Sequence, residues 1–392
     1  MRPPRSMESA RERTSSDQDD LRFARAILPL VSRTFARGID VLPPSIGESV
    51  RLAYLLCRVA DTIEDAPGVA PDLRRAWLLR FVSLLTVSTR ESALLQEFSS
   101  EVAARLAPSS SERAVVEGFP RLHRLLSALD PSRRAGIERW VSELANGMAR
   151  FVGLQEASGW EARPAQAGSV SADPPAGAGW TSLETCEDLD AYEYYVAGTV
   201  GCLLDEIIHG QIPARACVSR ERRKRLATAF GLGLQGTNIL QDLSDDRRRG
   251  WSYLPEEVAR RHGTSTVRMT LPGESVAAMN AVREMAERAA RHLDQGLEYV
   301  LLLPRRAPRV RLFCVWPLLL AVRTLSRLVS SPRVLVERVR IEREEVASLT
   351  REATLRCLSN AALRGLYQRE RTALAAALQS NPQRSEDHQR GP

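Results

Sequence analysis

Aromatic residues are scarce. Phe, Trp and Tyr make up 5% of the 392 residues, too few for the stacked rings on which single-stranded nucleic acid lies. No nucleic-acid module or basic stripe with interleaved rings takes their place. The six cysteines (57, 186, 202, 217, 314 and 357) show neither paired nor metal-type spacing. Cys57, Cys202 and Cys314 sit among apolar residues and read as core thiols, which suits a reducing cytoplasm. The longest apolar run, Leu312 to Val322, is bounded by Arg311 and Arg323. It falls short of the ~20 residues that a spanning helix needs, so no transmembrane helix is expected. Residues 1–20 are polar and charged, lack the apolar core of a signal peptide, and read as a disordered tail. Also missing are a Gly-rich dinucleotide fingerprint and any alternating strand pattern of useful length.

Positive charge, by contrast, is in excess and nearly all of it is Arg. Lys and Arg number 55 against 48 Asp and Glu, a net +7. That balance suits anionic substrates, a membrane surface or nucleic acid, without choosing among them. Hydrophobic residues reach 44%, ample for a large core, and their spacing is helical almost throughout. Helices are predicted over 21–37, 45–65, 71–87, 90–106, 111–129, 131 to near 153, 187–208, 220–246, 275–302, 310–329 and 332–348, with a last one ending near 378. The fold class is all-α, and a chain of this length and type fits one large bundle. Residues 157–181 turn abruptly to Gly, Ala, Pro and Ser and read as a flexible surface insertion. The organisation is then a tail (1–20), a single domain (21–378) carrying that insertion, and a second disordered tail (379–392).

The chemistry concentrates in two acidic stretches. In Arg58-Val-Ala-Asp61-Thr-Ile-Glu64-Asp65, Asp61 and Asp65 stack on one helix face with Arg58 a turn earlier. Like charges at that spacing weaken a helix by roughly 0.2–0.5 kcal/mol. The apolar run before them turns these carboxylates towards a cleft, where they need cations or else take up protons. Asn238-Ile-Leu-Gln241-Asp242-Leu-Ser-Asp245-Asp246 repeats the device. Two such pairs facing one cavity would make an oxygen-rich site for magnesium and a substrate phosphate. Either pair alone would ordinarily be a solvated face; it is their combination that speaks for a site. Residues 197, 198 and 201 are small and permit close helix approach.

With Ser32-Arg33-Thr34-Phe35, Tyr195-Val-Ala-Gly-Thr-Val-Gly201 and Tyr253-Leu-Pro255, these motifs stand in a familiar order. Over about 21–325 the chain resembles the squalene/phytoene synthase family of head-to-head prenyl synthases. Phe313-Cys-Val-Trp-Pro317 looks like the squalene-synthase branch. The resemblance implies an isoprenoid-synthase helical bundle around a central cavity, taking two farnesyl diphosphates. It implies Mg²⁺ held by Asp61, Asp65, Asp242 and Asp246, with Glu64 and Asn238 beside them. Ser32, Arg33, Phe35, Arg58, Asn238 and Gln241 would meet the substrates, the arginines through their planar guanidinium groups. Tyr195 would lie at the reacting carbons, and NADPH would serve a reductive second step.

The implied product is squalene, formed through presqualene diphosphate. Phytoene synthase, dehydrosqualene synthase and an enzyme stopping at presqualene diphosphate or hydroxysqualene stay open. So does a non-catalytic helical relative, although all four aspartates remain. Two departures from the family pattern bear on the second half-reaction: Gln241 and Trp251 stand where such enzymes usually carry Arg. Arg247 to Arg249 are nearby substitutes. A cytoplasmic monomer is expected, the compartment resting on the cysteine pattern. The Arg-rich stretch 323–343 is a solvated face or a peripheral membrane contact for a lipophilic product. Neither prenyl chain length nor oligomeric state follows from the sequence.

Overall fold

Proline marks where several helices begin, as it does when its missing N–H falls in a first turn. A computed structural model describes residues 5–88, 91–157, 180–212 and 218–380, with the backbone alone at 5–16, 33–34 and 155–157. The chain forms two compact units, Met1–Gly153 with Glu206–Ile212, and Leu154–Asp205 with Pro213–Pro392. Each is described by itself.

The first unit holds α1 (Arg5–Val31), α2 (Arg33–Val41), α3 (Pro44–Glu64), α4 (Pro71–Leu85), α5 (Ser92–Ala103), α6 (Ser111–Glu117), α7 (Phe119–Ser127) and most of α8 (Pro131–Ala157). Its centre is the apolar face of α3, where Leu55, Leu56, Val59, Ala60 and Ile63 are wholly buried. Rings of Phe81 and Phe98 close on Phe119 at 5.1 and 5.9 Å, an arrangement that adds to their area burial. Two expectations are corrected here. Helix starts at Arg5, not Leu21, and Asp20 is buried, accepting 2.8 Å hydrogen bonds from both Nε and Nη2 of Arg124. The helix foreseen over 111–129 is two helices, because Pro120 has no N–H to continue the ladder from α6.

The second unit holds α9 (Cys186–Glu193), a π-helical turn (Tyr194–Gly198), α10 (Thr199–His209, its last residues in the first unit), α11 (Arg220–Arg248), α12 (Glu256–Arg261), α13 (Ser275–Leu302), α14 (Pro308–Val329), α15 (Arg343–Arg356) and α16 (Asn360–Gln379). Helices α11, α13 and α14 form its core. The small residues do what their spacing predicts: a Cβ on Gly201 would stand 2.1 Å from the Ala227 carbonyl oxygen of α11. Among the described residues the only strands are β1 (Thr181–Ser182) and β2 (Trp251–Ser252), a parallel pair.

The stretch 332–348 departs from expectation. It begins as a 3₁₀ turn at Pro332–Leu335 and becomes α-helical only at Arg343, where Glu342 and Glu345 form a capping box. Helix α14 is long and apolar enough to cross a membrane by length and composition, yet 67% of its most apolar window is buried inside the protein. Arg311 in its first turns is fully buried and donates 2.8 Å hydrogen bonds to the Leu303 carbonyl and to Asn360 Oδ1. Cys57, Cys202 and Cys314 are buried core thiols outside any disulfide, as foreseen. The insertion at 157–181 lies outside the described residues over 158–179. Its end is anchored, since Trp180 Nε1 donates to Thr266 Oγ1 at 3.1 Å and the Arg247 guanidinium stacks 5.2 Å above its ring.

Candidate active site

On α3 the first acidic motif completes a stripe of polar side chains at positions 54, 58, 61 and 65, spaced to share one face. Arg58 Nη1 lies 3.7 Å from Asp61 Oδ2, and Nη2 lies 3.4 Å from Glu112 Oε1 at the start of α6. Asp61 is half-buried. Its carboxyl is pushed up to about 6, by burial first and by Asp65 next, with Arg58 opposing. Asp65 is exposed and closes the helix as its C-cap, so the pair spans the last turn of α3. Glu64 is buried, and its carbonyl accepts a hydrogen bond from Arg74 Nη1.

The Ser32–Phe35 motif sits at the same stripe. Ser32 is the N-cap of α2, its Oγ accepting from the Phe35 N–H at 3.3 Å. The Phe35 ring stacks on Tyr54 at 5.3 Å, and the Tyr54 hydroxyl has Ser32 as its hydrogen-bonding partner. The side chain of Arg33 is outside the described residues. Tyr54 and Glu112 are missing from the sequence reading. Tyr54 was within reach of it, one turn before Arg58 on the same face; Glu112 was not, since 54 residues separate it from Arg58.

In the second unit Asn238, Asp242 and Asp246 recur at every fourth residue of α11. Asn238 is exposed, Asp242 half-buried and Asp246 nearly buried. A cation beside Asp242 comes from a residue that helical spacing did not single out. Arg338, in the non-helical segment before α15, places Nη2 2.7 Å from Asp242 Oδ1 and Nη1 3.7 Å from Asp245 Oδ2. Gln241 Nε2 donates at 3.3 Å to the Val339 carbonyl, pinning the backbone next to that arginine.

The three arginines after the motif divide. Arg247 turns away, to the carbonyls of Thr266 (2.9 Å) and Val267 (2.6 Å). Arg248 pairs with Asp245, and Arg249 Nη1 stands 3.9 Å from Asp246. Trp251 is buried in β2, its ring edge-on to Tyr253 at 5.5 Å, while Tyr253 stacks on Tyr192 at 4.4 Å. That position supplies apolar packing and no charge. Tyr195 lies half-buried in the π-helical turn, which packs on α11 and whose Tyr195 carbonyl accepts from Thr199 Oγ1 at 2.6 Å. Such turns recur at functional sites.

The model for squalene/phytoene synthase matches residues 28–345. This chain belongs to the squalene/phytoene synthase family. It is 25% identical over 349 residues to the squalene synthase of Candida albicans, covering 86% of this chain and 68% of that protein. With the squalene synthase of Saccharomyces cerevisiae it shares 28% over 317 residues, 81% of this chain and 63% of that one. The chain thus spans about two thirds of the length of these curated relatives. Its fold is similar to that of TcSQS solved with the ligand E5700, at TM-score 0.69 and 24% identity, over 92% of this chain and 97% of that one. A dehydrosqualene synthase solved with ligand has the same fold at TM-score 0.54 and 18% identity, covering 87% and 97%.

For a family that handles prenyl diphosphates, the donors present fit magnesium. Asp61 and Asp65 in one motif, and Asp242, Asp246 and the Asn238 amide in the other, offer the hard oxygens that Mg²⁺ takes. The raised Asp61 carboxyl adds to the fit, since a crowded acid pair is eased by a cation. Glu64, being buried, is the least accessible of the foreseen ligands. For NADPH no donor set is assigned among the described residues, and no step is derived through it.

Proposed function

We propose that this chain is a squalene synthase, joining two farnesyl diphosphates head to head through presqualene diphosphate. The observation that carries the reading is that each aspartate motif has an arginine at its first carboxylate, Arg58 at Asp61 and Arg338 at Asp242. Acidic pairs flanked by guanidinium groups hold a diphosphate together with its metal, whereas acid pairs alone would repel it. The naming of the curated relatives as squalene synthases supports the same product.

In this reading Ser32, Arg33 and Arg58 hold diphosphate oxygens and orient the allylic C–O bond. When bound, Mg²⁺ supplies charge to the departing diphosphate. The C–O bond breaks with its electron pair on the leaving group, and the allylic cation is captured by the double bond of the second substrate. Ring closure to the cyclopropane releases one proton, for which Tyr195 Oη is the candidate acceptor. Arg338 then stabilises the second diphosphate departure in place of the arginine absent at 241, which is electrostatic catalysis by a preset charge.

The test is mass spectrometry of extracts from purified enzyme given farnesyl diphosphate and Mg²⁺, with and without NADPH. Squalene forms with the reductant; presqualene diphosphate, with some dehydrosqualene or hydroxysqualene, forms without it. Presqualene diphosphate accumulating in both would make the chain a first-step enzyme. Consumption of geranylgeranyl diphosphate alone would make it a phytoene synthase.

A further inference from the structure

Away from both aspartate motifs, the second unit gathers another set of ligand atoms. Asp190 and Glu193 lie one turn apart on α9, and His292 lies on α13. One oxygen of each acid and one ring nitrogen all come within 4.8 Å of one another. Glu193 is 2% exposed, and among the described residues no hydrogen bond or ion pair satisfies its carboxylate. Burial alone pushes that carboxyl up to about 8. His292 Nδ1 is likewise buried with no hydrogen-bond partner. Burial first, then Arg288 and Arg291, push the ring down to about 4, so it stays neutral and keeps a lone pair free. A buried carboxylate and a buried ring nitrogen left without hydrogen-bond partners in one cluster are rare in a folded protein and ask for a partner.

The surroundings are shaped for one. On α11, Gly236 faces the cluster, and a Cβ there would stand 3.0 Å from Glu193 Oε1; glycine leaves the carboxylate its room. Asp190 is half-exposed and ion-pairs with Arg288, so the cluster opens to solvent on the Asp190 side while Glu193 closes it behind. Ligand atoms on one tetrahedral ion, bound at ~2.0–2.2 Å, stand ~3.3–3.6 Å apart. Closing the set on an ion therefore takes side-chain movement of up to about an ångström.

We propose that Asp190, Glu193 and His292 bind one first-row divalent cation, of the Zn²⁺ or Mn²⁺ type, at a site separate from the diphosphate-binding aspartates. The imidazole decides the class, because Mg²⁺ prefers oxygen ligands alone while Zn²⁺ and Mn²⁺ accept nitrogen. Bound there, the ion ties α9 to α13 directly before the turn that carries Tyr195, and Glu193 is ionised as a ligand.

The experiment is calorimetric titration of Zn²⁺ into EDTA-treated, dialysed full-length protein in excess Mg²⁺, which keeps the aspartate motifs supplied. One equivalent binds to wild type and to the Asp61→Asn/Asp242→Asn double variant. Glu193→Gln and His292→Ala weaken binding about a hundredfold, at least the effect of losing a supporting contact. Circular dichroism checks that each variant is folded. Should one fail to fold, Co²⁺ added to wild type reads the site directly, by a visible absorption band that Zn²⁺ displaces and Mg²⁺ does not. Absence of Zn²⁺ binding to wild type under excess Mg²⁺, equal binding by all variants, or loss of binding in the double aspartate variant would each overturn the assignment.

Discussion

Gln241 stands where the family usually carries an arginine, and its amide instead holds the carbonyl of Val339 while Arg338, next to it, reaches Asp242. The charge missing from α11 is thus returned by a segment 97 residues downstream. Arg338 fell in the Arg-rich stretch 323–343 expected to face solvent or a membrane, because 332–348 read as one helix, and only the break before Arg343 brings that side chain back onto α11. Asp61, Asp65, Asp242 and Asp246 were legible because their partners are their own helical neighbours, fixed by spacing. Arg338 and Glu112 depend on packing between elements, which spacing does not encode, whereas Tyr54 lies one turn before Arg58 on the same face and was within its reach. A charge-assisted contact is worth ~1.5–3 kcal/mol, or on the order of tenfold to hundredfold in rate. Arg338→Ala should therefore slow squalene formation by about that factor, and Gln241→Arg in the same chain should restore part of the loss. Steady-state rates with presqualene diphosphate as substrate check this. Equal rates for wild type and Arg338→Ala would mean that the ion pair plays no part in the second departure.

Most helices were readable from apolar period and proline placement, and the exceptions have local causes. Pro120 divides one foreseen helix, and a π-helical turn interrupts the helix carrying Tyr195. A π turn adds a residue without changing the apolar pattern much, so periodicity passes over it. The close approach at 197–201 was legible, since several small residues on one face have few other uses in a helix. At Gly201 the constraint is severe, because the atom that a Cβ would meet is backbone, the Ala227 carbonyl oxygen at 2.1 Å. Alanine gains up to ~1 kcal/mol of helix propensity at such a position, while overpacking costs ~1–3 kcal/mol. Gly201→Ala should be destabilising on balance, lowering Tm by a few degrees at about 2–4 °C per kcal/mol in a protein of this size or smaller. Thermal denaturation followed by circular dichroism measures it; an unchanged or raised Tm would show that α10 shifts away from α11 without penalty.

At the scale of the molecule, stability and activity pull on Asp61 in opposite directions. Burial and Asp65 raise its carboxyl to about 6, above the ordinary value of 3.8. As pH rises between those two values, the unfolded chain releases this proton first, so the folded state holds more protons and loses stability across that window. At neutral pH, without metal, an ionised Asp61 therefore weakens the fold. Asp61→Asn removes the penalty, and in EDTA its Tm should equal or exceed that of wild type at pH 7, with the difference shrinking as pH falls towards 4. The same change takes a ligand from the proposed diphosphate–metal site and should abolish nearly all diphosphate release from farnesyl diphosphate, as EDTA should with wild type. Asp242→Asn, in the other compact unit, should lose the activity as fully, because the reaction proposed here needs both motifs. The paired measurements are melting curves in EDTA at several pH values and diphosphate release in Mg²⁺ at 25 °C. Wild-type turnover in EDTA would remove the metal from the mechanism. An Asp61→Asn protein that melts well below wild type at pH 7 would mean that the carboxylate is held for the fold and not for the substrate.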